Sequence, residues 1–121
     1  MTLSALNAIS PIDGRYLKKT RALSPYFSEY ALIFYRLMVE IRWLESLAAN
    51  PEIKEIAALA DDSKAYLASI LTEFNEKTAE EVKVFEKQTN HDVKAVEYYL
   101  REKMTTALGK ACKPEFLHFA L

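Results

Sequence analysis

Apolar residues recur along this chain mainly at intervals of three and four, the spacing that places them on one face of an α-helix. The clearest run covers residues 28–50, where Tyr30, Ile33, Phe34, Leu37, Ile41, Leu44 and Ala48 form one stripe. Ser28 reads as its N-cap, because a serine hydroxyl accepts a free N–H of the first turn, and Asn50-Pro51 reads as its stop. Arg36 and Glu40, four apart, are expected to pair along the helix. Leu32, Val39 and Trp43 make the opposite side apolar too, so this helix is expected to be covered on two sides or to meet a partner chain. Its aromatic residues read as core packing.

A short segment, residues 52–59, leads to a second helix over about residues 61–74. Asp61, Asp62 or Ser63 would cap it, with Ala65, Tyr66, Ile70 and Phe74 as the inward stripe. A third helix is expected from Thr78, where Glu81 completes a Thr-x-x-Glu capping box, to about Lys87, with Val82 and Phe85 inward. The charges of residues 80–87 alternate in sign and read as a solvated face. A fourth helix should run over about residues 92–105, burying Val93, Val96, Leu100 and Met104 and pairing Glu97 with Arg101. Gly109 ends it, and Lys113-Pro114 opens a last short helix with proline in its first turn.

Residues 1–24 carry no periodicity of any length. Within them Ser10-Pro11-Ile12-Asp13-Gly14-Arg15-Tyr16 reads as a turn, since proline presets one dihedral and Asp-Gly accepts positive φ. The bend fixes where Arg15 and Tyr16 point; the plain alternative is a surface turn with a solvated arginine. The pattern as a whole predicts an all-α fold, a single domain over residues 1–121, with an irregular entry segment (1–24) and a helical part (25–121) of four to five helices.

Composition narrows the picture. A length of 121 residues suits one domain with a real core, and two glycines and four prolines argue against an all-β architecture. Sixteen basic against seventeen acidic residues give a net charge of −1, which argues against a general nucleic-acid or membrane surface, so any anion must be met by a local site. Cys112 is the single cysteine; it offers no intramolecular disulfide and no metal spacing, and reads as a buried, inert thiol of a reducing, intracellular protein. The first residues do not read as a signal peptide, and the most apolar run, residues 30–44, is broken by Arg36, Glu40 and Arg42 and does not read as a membrane span. No phosphate-binding glycine loop, His-x-x-x-His pair or Ser-His-Asp set is legible.

One stretch carries candidate chemistry. In Gln88-Thr89-Asn90-His91-Asp92 a polar knot opens onto the fourth helix. A helix starting near Asp92 leaves free N–H donors and a partial positive charge at the knot, an end able to receive an anion. His91 lies in its middle, and an imidazole so placed can give or take a proton near neutral pH. His118, among Phe116, Leu117 and Phe119, reads as a satisfied core histidine.

Two of these segments resemble one known family. Ser10-Pro11-Ile12-Asp13-Gly14-Arg15-Tyr16 and Thr89-Asn90-His91-Asp92-Val93-Lys94-Ala95-Val96-Glu97-Tyr98 are closely similar to segments of the bacterial adenylosuccinate lyases, within the fumarase/aspartase superfamily. Phe27-Ser28-Glu29-Tyr30 and Glu40-Ile41-Arg42-Trp43-Leu44 fit the same family, so the resemblance covers essentially the whole chain. It implies the small helical N-terminal domain of a longer, cytoplasmic, homotetrameric lyase, without that enzyme's central bundle of long helices. Such enzymes eliminate fumarate from adenylosuccinate, giving AMP, and from succinylaminoimidazole carboxamide ribotide in purine nucleotide biosynthesis. They need no metal or organic cofactor, and no nucleic-acid or membrane partner is implied. A base removes the proton β to the leaving nitrogen and an acid protonates that nitrogen. Both belong to segments the chain lacks, so no catalytic set is complete here and the chain alone is expected to be inactive.

By residue-wise transfer, Arg15 and Tyr16 are expected to contact the phosphate end of the nucleotide. Asn90, His91 and Asp92 are expected to form a second substrate-binding segment, in which His91 orients substrate or serves as an auxiliary acid or base. Residues 115–121 resemble a Phe-x-His-Phe-Ala-type segment that the family follows with a substrate-binding Thr-Ser pair. Two other readings stay open. One is a superfamily lyase acting on argininosuccinate or a simple dicarboxylate, against which the Arg15-Tyr16 pair speaks. The other is a non-enzymatic helical interaction module, favoured by the doubly apolar helix around Trp43.

Overall fold

The helix with the longest apolar periodicity is also the longest in the computed structural model, which describes residues 4–109 and 112–121. Among the described residues there is no strand, and the fold is all-α. Two single-turn helices, α1 (Leu17–Thr20) and α2 (Ser24–Phe27), flank a 3₁₀ turn (Arg21–Leu23). Four long helices follow: α3 (Glu29–Ala49), α4 (Asp61–Thr72), α5 (Glu76–Thr89) and α6 (Asp92–Leu108). The chain divides into two compact units, one up to Leu32 and one from Ile33 onward.

The first unit has little to pack. None of its short helices buries a residue, and Leu6 and Ile9 are 98% and 99% exposed. Hydrogen bonds hold its turn: Ser10 Oγ accepts the Ile12 N–H at 3.1 Å, Asp13 Oδ1 accepts the Ser10 N–H at 2.8 Å, and the Tyr16 N–H donates to the Pro11 carbonyl at 2.8 Å. The expected positive φ at Gly14 is not present, since Gly109 is the positive-φ glycine among the described residues. Gly14 is needed for space instead. A Cβ there would lie 2.8 Å from the Ala5 carbonyl oxygen and 3.0 Å from the Ala8 Cβ.

In α3 Ser28 acts as the expected cap, its Oγ accepting the Ala31 N–H at 3.1 Å. Leu37, Ile41 and Leu44 are fully buried along the expected stripe, while Val39 on the opposite side stays exposed. The expected Arg36–Glu40 pair does not form. Arg36 Nη1 reaches Asp92 Oδ2 at 2.8 Å, and Glu40 turns to His118. Glu40 is buried, and a buried carboxylate needs donors at both its oxygens, which the backbone N–H and the ring of His118 supply.

The second helix begins at Asp61, as expected, but its cap and its end differ. Ala60 is its N-cap and makes no side-chain bond, Asp61 and Asp62 fall in the first turn, and the helix stops at Thr72. Leu67, outside the expected stripe, is fully buried, whereas Ala65 is exposed. The small alanine carries little weight in deciding which face turns inward. Phe74 lies beyond the helix but packs on Phe34, ring centroids 5.4 Å apart. In α5 the Thr78–Glu81 capping box does not form, because Asn75 takes the role a turn earlier, its Oδ1 accepting the Thr78 N–H at 3.1 Å. Asparagine is the stronger cap, and using it lets the helix gain a turn.

Helices α5 and α6 pack against each other across the short link at Asn90 and His91. Val82 on α5, and Val96, Leu100 and Met104 on α6, are buried. Tyr99 joins them and Val93 is only half-buried, a rotation of the stripe by less than one residue. Phe85 meets Tyr99 edge-on at 6.2 Å, and burial, with Glu81 and Tyr66 nearby, pushes the Tyr99 phenol up to about 12. Glu97 pairs with Arg101 as expected, at 3.1 Å, and also with Lys94 at 2.8 Å; it is buried beneath both.

The last expected helix is a single 3₁₀ turn (Pro114–Phe116). Lys113, His118 and Ala120 all have φ near +60°, which no right-handed helix admits. Leu117 is buried, and Cys112, as expected, is buried too, its thiol pushed up by burial. No helix among the described residues is long and apolar enough to cross a membrane.

Candidate functional site

The knot between α5 and α6 builds itself from four residues. Asn90 adopts the left-handed conformation (φ 51°) that ends α5, and its N–H donates to the Glu86 carbonyl at 2.7 Å. Thr89 Oγ1 accepts the His91 N–H at 3.3 Å. His91 then extends (φ −150°) and is itself the N-cap of α6: its Nδ1 accepts the Lys94 N–H at 3.2 Å. Asp92 Oδ1 accepts the Val93 N–H at 2.9 Å while Oδ2 holds Arg36.

The start of α6 is therefore less open to an anion than its sequence suggests. Val93 and Lys94 already donate to side chains, and the Asp92 carboxylate brings negative charge to this end. What the knot offers instead is a defined imidazole. A ring nitrogen that accepts carries no proton, so the neutral His91 ring is protonated at Nε2. With its side chain 57% exposed, His91 presents that N–H as a donor.

Arg36, which sequence reasoning assigned elsewhere, holds the Asp92 carboxyl below its usual range, with the Val93 N–H adding to the effect. A carboxylate held low in the fold adds stability above its unfolded value, and that stability is lost as pH falls through the folded value. The expected result is that Asp92→Asn lowers stability at pH 7, and that the difference from the parent chain shrinks below about pH 4, measured as urea midpoints across an acid series.

Arg15 and Tyr16 lie in the first unit, while Asn90, His91 and Asp92 lie in the second. Tyr16 caps the single turn of α1, and the Arg15 guanidinium stands 4.7 Å above the Tyr16 ring, a cation–π contact that leaves its N–H fork available. A cleft of about 620 Å³ is lined by Asp13, Gly14, Arg15 and Lys18 along with Ser4 and Ala5. Backbone N–H donation, above all from Ser10, holds Asp13 below its usual range. Two cations and one carboxylate leave this cleft with a net positive charge. Lys18 was missed from sequence, though its position three residues after Arg15 at a helix start is the available signal.

No protein-family model matches this helical chain. Its curated relatives include lyases that match it along nearly its whole length. They are adenylosuccinate lyases: the chain is 62% identical over 120 residues to that of Legionella pneumophila (strain Corby), 50% identical over 120 residues to that of Escherichia coli (strain K12), and 48% identical over 121 residues to that of Dictyostelium discoideum. These matches take in 98% or 99% of this chain and 26% of each relative. The chain thus spans about a quarter of the length of the curated relatives it matches, and over that quarter it is homologous to adenylosuccinate lyases.

Proposed function

We propose that the chain is the N-terminal part of an adenylosuccinate lyase, a cytoplasmic homotetramer that eliminates fumarate from adenylosuccinate and from succinylaminoimidazole carboxamide ribotide in purine nucleotide synthesis. The observation that carries the reading is 62% identity over 120 residues to a lyase of that name. The local chemistry suits it. Arg15, beside Lys18 in a positive cleft and stacked on the Tyr16 ring, fits a nucleotide phosphate through charge-assisted hydrogen bonds. The His91 Nε2–H, fixed by the cap and flanked by Asn90 and Asp92, fits an oxygen acceptor on the substrate. The groups that remove and deliver protons lie in the remaining three quarters of the enzyme, so this chain supplies binding elements and is inactive alone.

The test is a chimera in which residues 1–121 replace the matching quarter of the Legionella pneumophila relative. It should release fumarate from adenylosuccinate, while the 121-residue chain alone should release none. A folded chimera that is inactive, or that prefers argininosuccinate, overturns the reading.

A further inference from the structure

Glu40 lies in the middle of α3 with its side chain 5% exposed, and a carboxylate so placed needs donors on both oxygens. Both donors come from one residue. Oε2 accepts the backbone N–H of His118 at 2.9 Å, and Oε1 lies 2.5 Å from His118 Nδ1. His118 has a φ of 63°, a conformation that costs a non-glycine residue energy and persists where the surroundings impose it. One turn further along α3, Trp43 Nε1 donates to the Phe119 carbonyl at 2.6 Å, so the same turn is held at a second point.

We propose that Glu40 is a positioning residue that locks His118 in its Nδ1–H tautomer and so presents Nε2 as a hydrogen-bond acceptor. An ionised carboxylate only accepts, so the ring nitrogen that faces it, Nδ1, must be the one that carries the hydrogen and donates. The lone pair of the neutral ring is then on Nε2. That atom has no partner among the described residues and is not among their buried unpaired atoms, and the side chain is 26% exposed. A buried carboxylate that orients an imidazole through one nitrogen and leaves the other to act is a recurrent arrangement in enzymes.

The two histidines of the chain are thereby held in opposite states. His91 accepts at Nδ1 and offers an N–H; His118 donates at Nδ1 and offers a lone pair. The ligand atom that the neutral His118 ring takes is accordingly a donor, a hydroxyl or amine hydrogen. Its use in catalysis rests on the lyase reading, whereas the tautomer does not.

The experiment has two arms. Long-range ¹H–¹⁵N spectra of the 121-residue chain, which has only two histidines, should show His118 protonated at Nδ1 and His91 at Nε2 when both rings are neutral. A His118 ring protonated at Nε2 overturns the proposal, and this measurement needs no variant to fold. In the active chimera, Glu40→Gln should lower kcat by about 10- to 1,000-fold with KM within about threefold, and Glu40→Asp, which keeps the carboxylate, should recover part of the loss. A Glu40→Gln chimera with the parental kcat overturns the proposal. If the unsubstituted chimera is itself inactive while the tautomers are as stated, it is the lyase reading that fails.

Discussion

Leu100→Ala is expected to destabilise the chain by about 3 kcal/mol, the loss that follows when a fully buried leucine leaves a cavity that its neighbours fill only in part. Leu100 has no exposed surface and stands between Val96 and Met104 on the buried stripe of α6, so the cavity would open in the middle of the core of the second unit. Domains of this size have total stabilities of about 5–15 kcal/mol, so one such loss is a large fraction. Val84→Ala on α5 is the matched control: Val84 is 53% exposed, and its truncation should cost within about 0.5 kcal/mol. The single tryptophan, Trp43, reports unfolding by its fluorescence. A shift of the urea midpoint with an unchanged slope is the expected observation. A loss below about 1 kcal/mol for Leu100→Ala would mean that α6 does not form the core.

The parts of the fold that were legible in sequence are those decided locally. The cap of α3 at Ser28, the buried stripe through Leu37, Ile41 and Leu44, and the pairing of Glu97 with Arg101 each depend on residues within one or two turns of each other. Where the outcome depended on distant residues, local reading failed. Arg36 and Glu40 have ideal spacing for a pair, yet their partners are Asp92 and His118, and nothing in a helical spacing rule points to either. Two adequate caps, Asn75 and Thr78, competed for the start of α5, and the one that lengthened the helix was used. Gly14 looked like a residue needed for its dihedral freedom, but it is required because the Ala5 carbonyl oxygen and the Ala8 Cβ leave no room for a Cβ there.

The candidate site divides in the same way. That residues 88–92 would cap a helix was readable from their types, but the residue doing the capping was not, because serine, threonine, aspartate and asparagine are the usual caps and histidine is not. Once His91 Nδ1 is the cap, its tautomer follows, and with it the chemistry it can offer. The knot thus changes from an open anion-binding helix end into a holder for one N–H donor.

That distinction makes the largest functional prediction separable from stability. In the active chimera, His91→Asn should keep the cap, since an asparagine Oδ1 can accept the Lys94 N–H as well as an imidazole nitrogen does, but it removes the donor at Nε2. The expected result is a fall in kcat/KM of about 100-fold or more with a melting temperature close to the parent. His91→Ala should lose the same activity and in addition about 1 kcal/mol of stability, because the Lys94 N–H is then left without a side-chain acceptor. Arg15→Ala in the first unit should also lower kcat/KM by about 100-fold, and Arg15→Lys should recover little, because a lysine keeps the charge but not the two-pronged fork. Arg15 is exposed and its contact with the Tyr16 ring is a surface one, so neither change should move the melting temperature much. If His91→Asn instead keeps activity within threefold of the parent while His91→Ala loses it together with stability, then His91 serves the helix and not the substrate.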